Sequence, residues 1–409
     1  VMDLLQSALA VLYIIAASQG FFLTLLLYRS KLGDHQANRY LCLLTLLFSL
    51  ALVDYATDTA GISAQWPVIT TLLWPKEFFY GPLIFLYCIE LTRPSPSQLS
   101  RRQQLHFLPG LLHIVVAWSL LMLPQDTQQL IIGLDPIVLD GSANSHGLSY
   151  SQLVIAWLLD DFETVLAFAS IAIYLGLSIW HLKRYSISIL NNYSEIEQIN
   201  LSWLKRLLIS LLTIYLLYVV TETLLRGWME HVLGFSMLLL IYLMGYRGLQ
   251  QPEIFKARNP SEPVSASSDL QPEPTEEATP AMVVESKYAK SAVDAEMSGQ
   301  LIREIRQQVE QRQLYLEPQL TLTELADLLC LPPHYVSQAI NEQTGNNFFD
   351  FINSYRTQAA QALLLDKEAA LTVIEVAMAA GFNSKSAFYT AFKKHAGVTP
   401  SQYKKEHLK

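Results

Sequence analysis

From Leu4 to Tyr28 the chain runs without one charged residue, "LLQSALAVLYIIAASQGFFLTLLLY". A helix that crosses the hydrocarbon core of a bilayer needs about 20 apolar residues, because lipid offers a backbone no hydrogen-bond partners. Six further apolar runs follow: Tyr40 to Ala60, Val68 to Leu91, Leu105 to Leu123, Leu153 to Trp180, Leu207 to Leu225, and Trp228 to Tyr246. The last is short and carries Glu230 and His231 at its start. Each run alone would fit a buried helix of a large soluble protein; seven in one half point to a membrane bundle. The chain has 409 residues and is 51% apolar and 16% charged, against roughly 25% charged for soluble proteins. Nearly all long apolar runs precede Tyr246, and most charges follow it.

Lysine and arginine in short loops set the orientation of such a bundle. Arg29, Lys31 and Arg39 follow the first run; Arg93, Arg101 and Arg102 the third; Lys183, Arg184, Lys205 and Arg206 the fifth; Arg247, Lys256 and Arg258 the seventh. The intervening loops hold only Arg226. This alternation predicts an outer amino terminus and a cytoplasmic carboxyl terminus, which an odd number of spans requires. The first run lacks the basic residues that precede the apolar core of a signal peptide, so it is read as a span.

Ionisable residues inside such runs are costly and mark function. Asp54 and Asp58 lie on one face of the second run, Lys76 and Glu77 early in the third, Asp160, Asp161 and Glu163 in the fifth, and Glu222 in the sixth. All fall in the outer half. They form either an acidic cavity for a small cationic or hydrogen-bonding signal, or an internal Lys76–carboxylate pair with the rest in wet headgroup space. The outer loop "PQDTQQLIIGLDPIVLDGSANSHG" is either a lid or a connector. His113 reads as a packing residue. No zinc-protease helix is present, and "DDFET" has no second acidic motif, so no enzyme, cofactor or metal is expected. Cys42, Cys88 and Cys330 give neither a disulfide framework nor zinc spacing.

Residues 249–286 then turn acidic and rich in proline and serine, the composition of a disordered tether. Over residues 287–317 the pattern is helical, with Val293, Met297, Leu301, Ile305 and Val309 recurring every four residues. That stripe fits one partner: its own domain, or a second copy and a transmitted signal. Pro318 ends it.

Residues 318–409 hold two helix-turn-helix patterns. In "LTLTELADLLCLPPHYVSQAINEQTG", Leu322, Leu325, Ala326 and Leu329 stripe a scaffold helix, Leu331-Pro332-Pro333 breaks it, and Val336 and Ile340 anchor a second helix. In "LTVIEVAMAAGFNSKSAFYTAFKKHAG", Ile374, Val376 and Ala377 stripe the scaffold, Gly381-Phe382 turns, Ser384 caps, and Phe388 and Phe392 anchor. Ala326 precedes Ala377 by 51 residues and Val336 precedes Phe388 by 52. The second helix of such a unit enters the major groove, and its unburied side chains read base edges. Those are His334, Ser337, Gln338 and Asn341, then Lys385, Ser386, Tyr389 and Thr390. Ser384, Lys393, Lys394, Lys404 and Lys405 are placed toward phosphate, the sequence-blind part of affinity. From Phe382 onward six lysines face one acid, Glu406, although the whole chain carries −8.

The stretch "IEVAMAAGFNSKSAFYTAFKKHAGVTPSQYK", with Gly381, Phe382, Ser384, Phe388, Phe392-Lys393, Gly397, Thr399-Pro400 and Tyr403, resembles the signature of the AraC/XylS family of bacterial transcription regulators; "FFDFINSYR" resembles that family's linking helix. The resemblance implies two modules reading adjacent major-groove segments. Pro332 stands where the family often has a capping serine, and Gln338 and Thr390 where it more often has arginine. "YGPLIFLYC" and "GYRGLQQPEIF" look like the membrane-bound branch, in which a multi-span sensor replaces a soluble effector domain. The expectation is an all-α chain: a seven-span sensor over residues 1–248, the tether, a coupling or dimerisation helix, and a tandem helix-turn-helix domain. It would reside in the bacterial inner membrane, with double-stranded promoter DNA, the lipid bilayer, a small-molecule or membrane signal, RNA polymerase and a second copy as candidate partners. The rivals are a receptor or transporter whose tail binds protein, and an intramembrane enzyme using Asp160, Asp161 or Glu163.

Overall fold

Proline and the polar breaks divide the apolar half into pieces, as the computed structural model makes plain. It describes residues 2–29, 35–93, 100–125, 161–197, 199–224, 283–366 and 371–407, with single positions at 128, 236, 239, 243 and 368. All regular elements among them are helical. The chain forms two units, residues 1–183 with 201–258, and residues 184–200 with 259–409.

In the first unit, α1 (Met2–Arg29) packs along α2 (His35–Thr59). The contact uses small residues, Ala10, Ala16, Ala17 and Ala51, and a Thr24–Thr45 hydroxyl pair at 3.0 Å. Small side chains let apolar helices approach closely, and a buried hydroxyl needs a partner. The expected third span is not one helix. It is α3 (Pro67–Leu73), a tight turn over Trp74–Lys76, and α4 (Glu77–Leu91). Pro75 has no N–H to donate and clashes with the preceding turn, so an uninterrupted helix fails there. Next come α5 (Leu108–Ser119), α6 (Asp161–Asn192) and α7 (Ser202–Leu224). Among the described residues, four stretches are long and apolar enough to cross a membrane, against the seven expected: Gln6–Arg29, Gln36–Thr59, Arg102–Met122 and Val165–Asn192. Apart from positions 236, 239 and 243, the seventh run lies outside the described residues, as does most of the outer loop.

The second unit begins, after residues 184–200, with α8 (Val283–Gln311). Its buried stripe is Ser298, Ile302, Ile305 and Val309, and Met297 is 61% exposed. The expected four-residue repeat advances 400° per step and drifts off one face; the observed stripe alternates three and four. It packs on its own domain, against Leu322, Leu325, Val336 and Ile340. The first module is α9 (Leu322–Leu328) and α10 (Pro333–Thr344). A linking helix, α11 (Phe348–Leu365), gives Phe348, Phe351 and Ile352 to that core and Ala360 and Leu364 to the next. The second module is α12 (Val373–Ala379) and α13 (Lys385–Ala396), followed by α14 (Pro400–His407). Phe382, Phe388 and Phe392 fill its core, while Ile374 is 50% exposed and leaves the expected stripe. Ile374 stands two residues before Val376, about 200° around the helix, and so faces away.

Candidate nucleic-acid interface

The two modules are built alike down to their caps. Thr321 and Glu324 begin α9, and Thr372 and Glu375 begin α12, each pair exchanging reciprocal side-chain-to-backbone hydrogen bonds. This T-x-x-E box satisfies two amides that the helix itself cannot pair. The bonds from Thr372, backbone first, hold the Glu375 carboxyl below its usual range. The repeat was visible in the sequence as "LTLTE" and "LTVIE" but escapes a reading focused on apolar stripes. The turns also correspond. Leu331 N–H donates to Ala326 O, and Phe382 N–H to Ala377 O, both at 3.0 Å. The left-handed position is Cys330 in the first module (φ 55°) and Gly381 in the second (φ 88°).

These turns present α10 and α13 with one face buried and the other outward. Val336, Ala339 and Ile340 are buried, while His334, Gln338 and Asn341 are exposed and Ser337 is half-buried. On α13, Phe388, Ala391 and Phe392 are buried; Lys385, Ser386 and Thr390 are exposed, and Tyr389 is half-buried. All eight expected base-reading residues therefore lie on the reading helices, off the anchoring positions. Pro332 takes the cap position of α10 and offers no side-chain hydrogen bond, whereas Ser384 Oγ accepts from Ala387 N–H at 3.0 Å.

Several of these groups are already engaged. The Gln338 amide donates to Glu342 at 2.7 Å, and Glu342 also accepts from Ser298 of α8 at 3.0 Å. Lys385 Nζ lies 5.6 Å from the Tyr389 ring centroid. Lys394 forms an ion pair with Asp350 of the linking helix at 2.6 Å, and Lys404 donates to Leu371 O at 3.3 Å. Burial holds His395, beside that ion pair, below its usual range, with Asp350 pulling the other way. Lys393 and Lys405 are exposed. The expected phosphate-facing lysines thus divide into two that brace the domain and two that stand clear.

Arg356 went unnoticed in the sequence. Fully buried in α11, it donates to Tyr315 O and Glu317 O, both at 2.7 Å, and to the Asn353 side chain. Apart from Asn353, its acceptors lie far along the chain, so no local pattern marks it.

In the first unit, Lys76 and Asp54 pair at 2.7 Å, and Asp58 accepts from Ser63 at 2.8 Å. Glu77 opens α4 and is half-buried. Asp160 lies outside the described residues, and so do the side chains of Asp161, Glu163 and Glu222. His113 is buried against Phe78, as a packing residue would be. A double-mutant cycle over Lys76→Met and Asp54→Asn, read by thermal unfolding in detergent, is expected to give a coupling on the order of 0.5–3 kcal/mol. Simple additivity would mean the pair does not hold α2 to the Trp74–Lys76 turn.

Residues 325–406 match a family model described as "Helix-turn-helix domain". The melibiose operon regulatory protein of Escherichia coli K12 is 30% identical over 86 residues, which is 21% of this chain and 28% of that protein. The uncharacterized HTH-type transcriptional regulator YtdP of Bacillus subtilis is 31% identical over 90 residues, 22% of this chain and 11% of that protein. The C-terminal domain of AraT, a response regulator from Geobacillus stearothermophilus, is 32% identical, covering 26% of this chain and 85% of that one, at a TM-score of 0.24. The chain thus spans less than a third of the length of either curated relative. With two capped scaffold helices, two outward-facing second helices, the family-model match and the curated relatives, the carboxy-terminal segment is an AraC-type helix-turn-helix domain.

Proposed function

We propose that the chain is a membrane-embedded, one-component transcription regulator of the bacterial inner membrane, in which a seven-span sensor controls promoter binding by the tandem helix-turn-helix domain. The observation that carries the DNA half is the pair of polar reading helices, with a lysine-bearing second one, on two buried scaffolds. The membrane half is supported by the inside-out character of α5. His113 and Gly110 are buried there while Val115 is 71% exposed, alongside Leu111, Leu112 and Trp118. Water would favour the reverse; lipid favours apolar side chains outward and polar ones inward. The alternation of basic loops supports a cytoplasmic carboxyl terminus. The Lys76–Asp54 contact is the internal pair of the second reading of these residues; in this proposal a cationic or hydrogen-bonding signal is left to the other carboxylates. The exposed face of α8 around Met297 is open to a second copy.

Genome-wide mapping of DNA crosslinked to the full chain in cells tests the reading: discrete bound sites are expected. No enriched site, or a reporter after Lys409 active only outside the cytoplasm, would end it. For a selected duplex, Lys393→Ala with Lys405→Ala is expected to weaken binding at every sequence. The slope of log affinity against log salt should become shallower by about 0.9 for each phosphate contact removed. An unchanged slope would show that these lysines do not meet DNA.

A further inference from the structure

The short segment between α6 and α7 belongs to the second unit and is fastened to it. Ser194 is 1% exposed. Its N–H donates to Leu320 O at 3.1 Å, and Tyr193 pairs with Thr321 in an isolated antiparallel bridge. Arg356 Nη1 donates to Ser194 O at 2.9 Å, and Nη2 to Ser194 Oγ at 3.0 Å. The same guanidinium holds Tyr315 O and Glu317 O in the turn before α9, and sits 5.9 Å from the ring centroid of Phe382, in the turn of the second module. A Cβ on Gly381 would stand 2.6 Å from Tyr315 O, so the second module's turn rests directly on that same lead-in turn. Arg356 is therefore where the two modules and the 193–195 segment meet, 162 residues apart in sequence.

We propose that residues 193–195 are an intramolecular latch: docked on Arg356, they set the mutual orientation of the two reading modules, so that α6 and α7 act on DNA reading through this contact. The inference rests on the DNA-reading function proposed above. A guanidinium presents a rigid fork of five donors and cannot shed its charge at neutral pH. Burial pulls Arg356 down to about 10, with Glu195 of the same segment opposing. It stays charged, and Ser194 supplies two of its acceptors. Withdrawing the segment leaves donors to be satisfied by water or by a shift of the 315–318 turn, and that turn is what Gly381 rests on. Both lengths are those of well-formed hydrogen bonds. The segment directly continues α6 and is followed within a few residues by α7, so a displacement of either helix is delivered to it.

The test uses the full chain in lipid nanodiscs, with a duplex selected by the wild-type protein from a random library. Ser194→Trp cannot fit the buried position; Ser194→Ala removes only the hydroxyl. With Ser194→Trp, amide hydrogen exchange over residues 315–321 is expected to accelerate at least tenfold. The Phe388 and Phe392 amides should keep wild-type rates, which reports that the domain is folded. Affinity for the selected duplex is expected to fall at least tenfold, with footprinting retained over only one of the two segments, and Ser194→Ala should lie between. Unchanged exchange at 315–321 in both variants would overturn docking. Accelerated exchange with binding within twofold of wild type would overturn control of DNA reading. If the wild type selects no duplex, the DNA-binding function itself fails, and the exchange arm still decides whether the segment docks.

Discussion

Arg356→Met is expected to remove a large share of the stability of the carboxy-terminal unit. The methionine nearly fills the space but donates nothing, so Tyr315 O, Glu317 O and Ser194 O lose their partner in a buried place. Orphaned buried acceptors cost about 1–3 kcal/mol each before relaxation. A total loss of about 3–5 kcal/mol is the scale of other broken buried networks, against roughly 5–15 kcal/mol for a whole domain. Hydrogen exchange at Phe351 and Ile352 in the full chain reads it, with an acceleration of roughly a hundredfold to several thousandfold expected if those amides open with the global transition. Arg356→Lys should recover only a minor part. An ammonium is a point charge and cannot reach acceptors spread around a planar fork. Full recovery with lysine would show that charge alone, and not the fork, holds the turn.

The second large effect is expected for Gly381→Ala. Its φ of 88° is one that only glycine adopts cheaply. That alone costs an alanine about 1–2 kcal/mol. The added Cβ also meets Tyr315 O at 2.6 Å and Leu316 Cα at 2.9 Å, both backbone atoms that no rotamer change can move. Either the turn before α9 shifts or the second module lifts away from the first. The expected result is a loss of about 2–4 kcal/mol, within the range for strain plus overpacking. Accelerated exchange at Phe382 and Phe388 would report it. Cys330 holds the matching left-handed position in the first module and is exposed, so Cys330→Gly should be neutral or slightly stabilising. A gain at Cys330→Gly as large as the loss at Gly381→Ala would show that the backbone angle, and not contact with the first module, decides.

The tandem architecture was legible because its determinants are local. Val336 and Ile340, like Phe388 and Phe392, anchor at i, i+4; Gly381-Phe382 marks the turn; and the Ala326–Ala377 spacing exposes the repeat. The reading-helix residues follow by subtraction from the anchors. Features made by distant partners were not legible. Lys394 looked free until Asp350, 44 residues earlier, was placed beside it. Arg356 ends "FFDFINSYR", a stretch that the sequence marks as a linking helix without giving this side chain a partner. Met297 belongs to the four-residue repeat and Ile374 to the expected scaffold stripe, yet both are exposed, because neither spacing follows the helical period onto the buried face. In the apolar half, length and hydrophobicity announced helices but not their interruptions, and Pro75 sits in a run that counting alone treats as continuous.

Glu342 gives the two modules unequal work. A carboxylate on the reading face of α10, engaged with both Gln338 and Ser298, repels phosphate and occupies the amide that would face adenine. In the proposed function, contact with a base there would be an exchange of partners, rewarded only by a matching sequence, while the exposed Lys393 and Lys405 would attract any duplex. The second module would act as the grip and the first as the discriminating lock, so target choice can drift through Gln338 and Glu342 without disturbing either core.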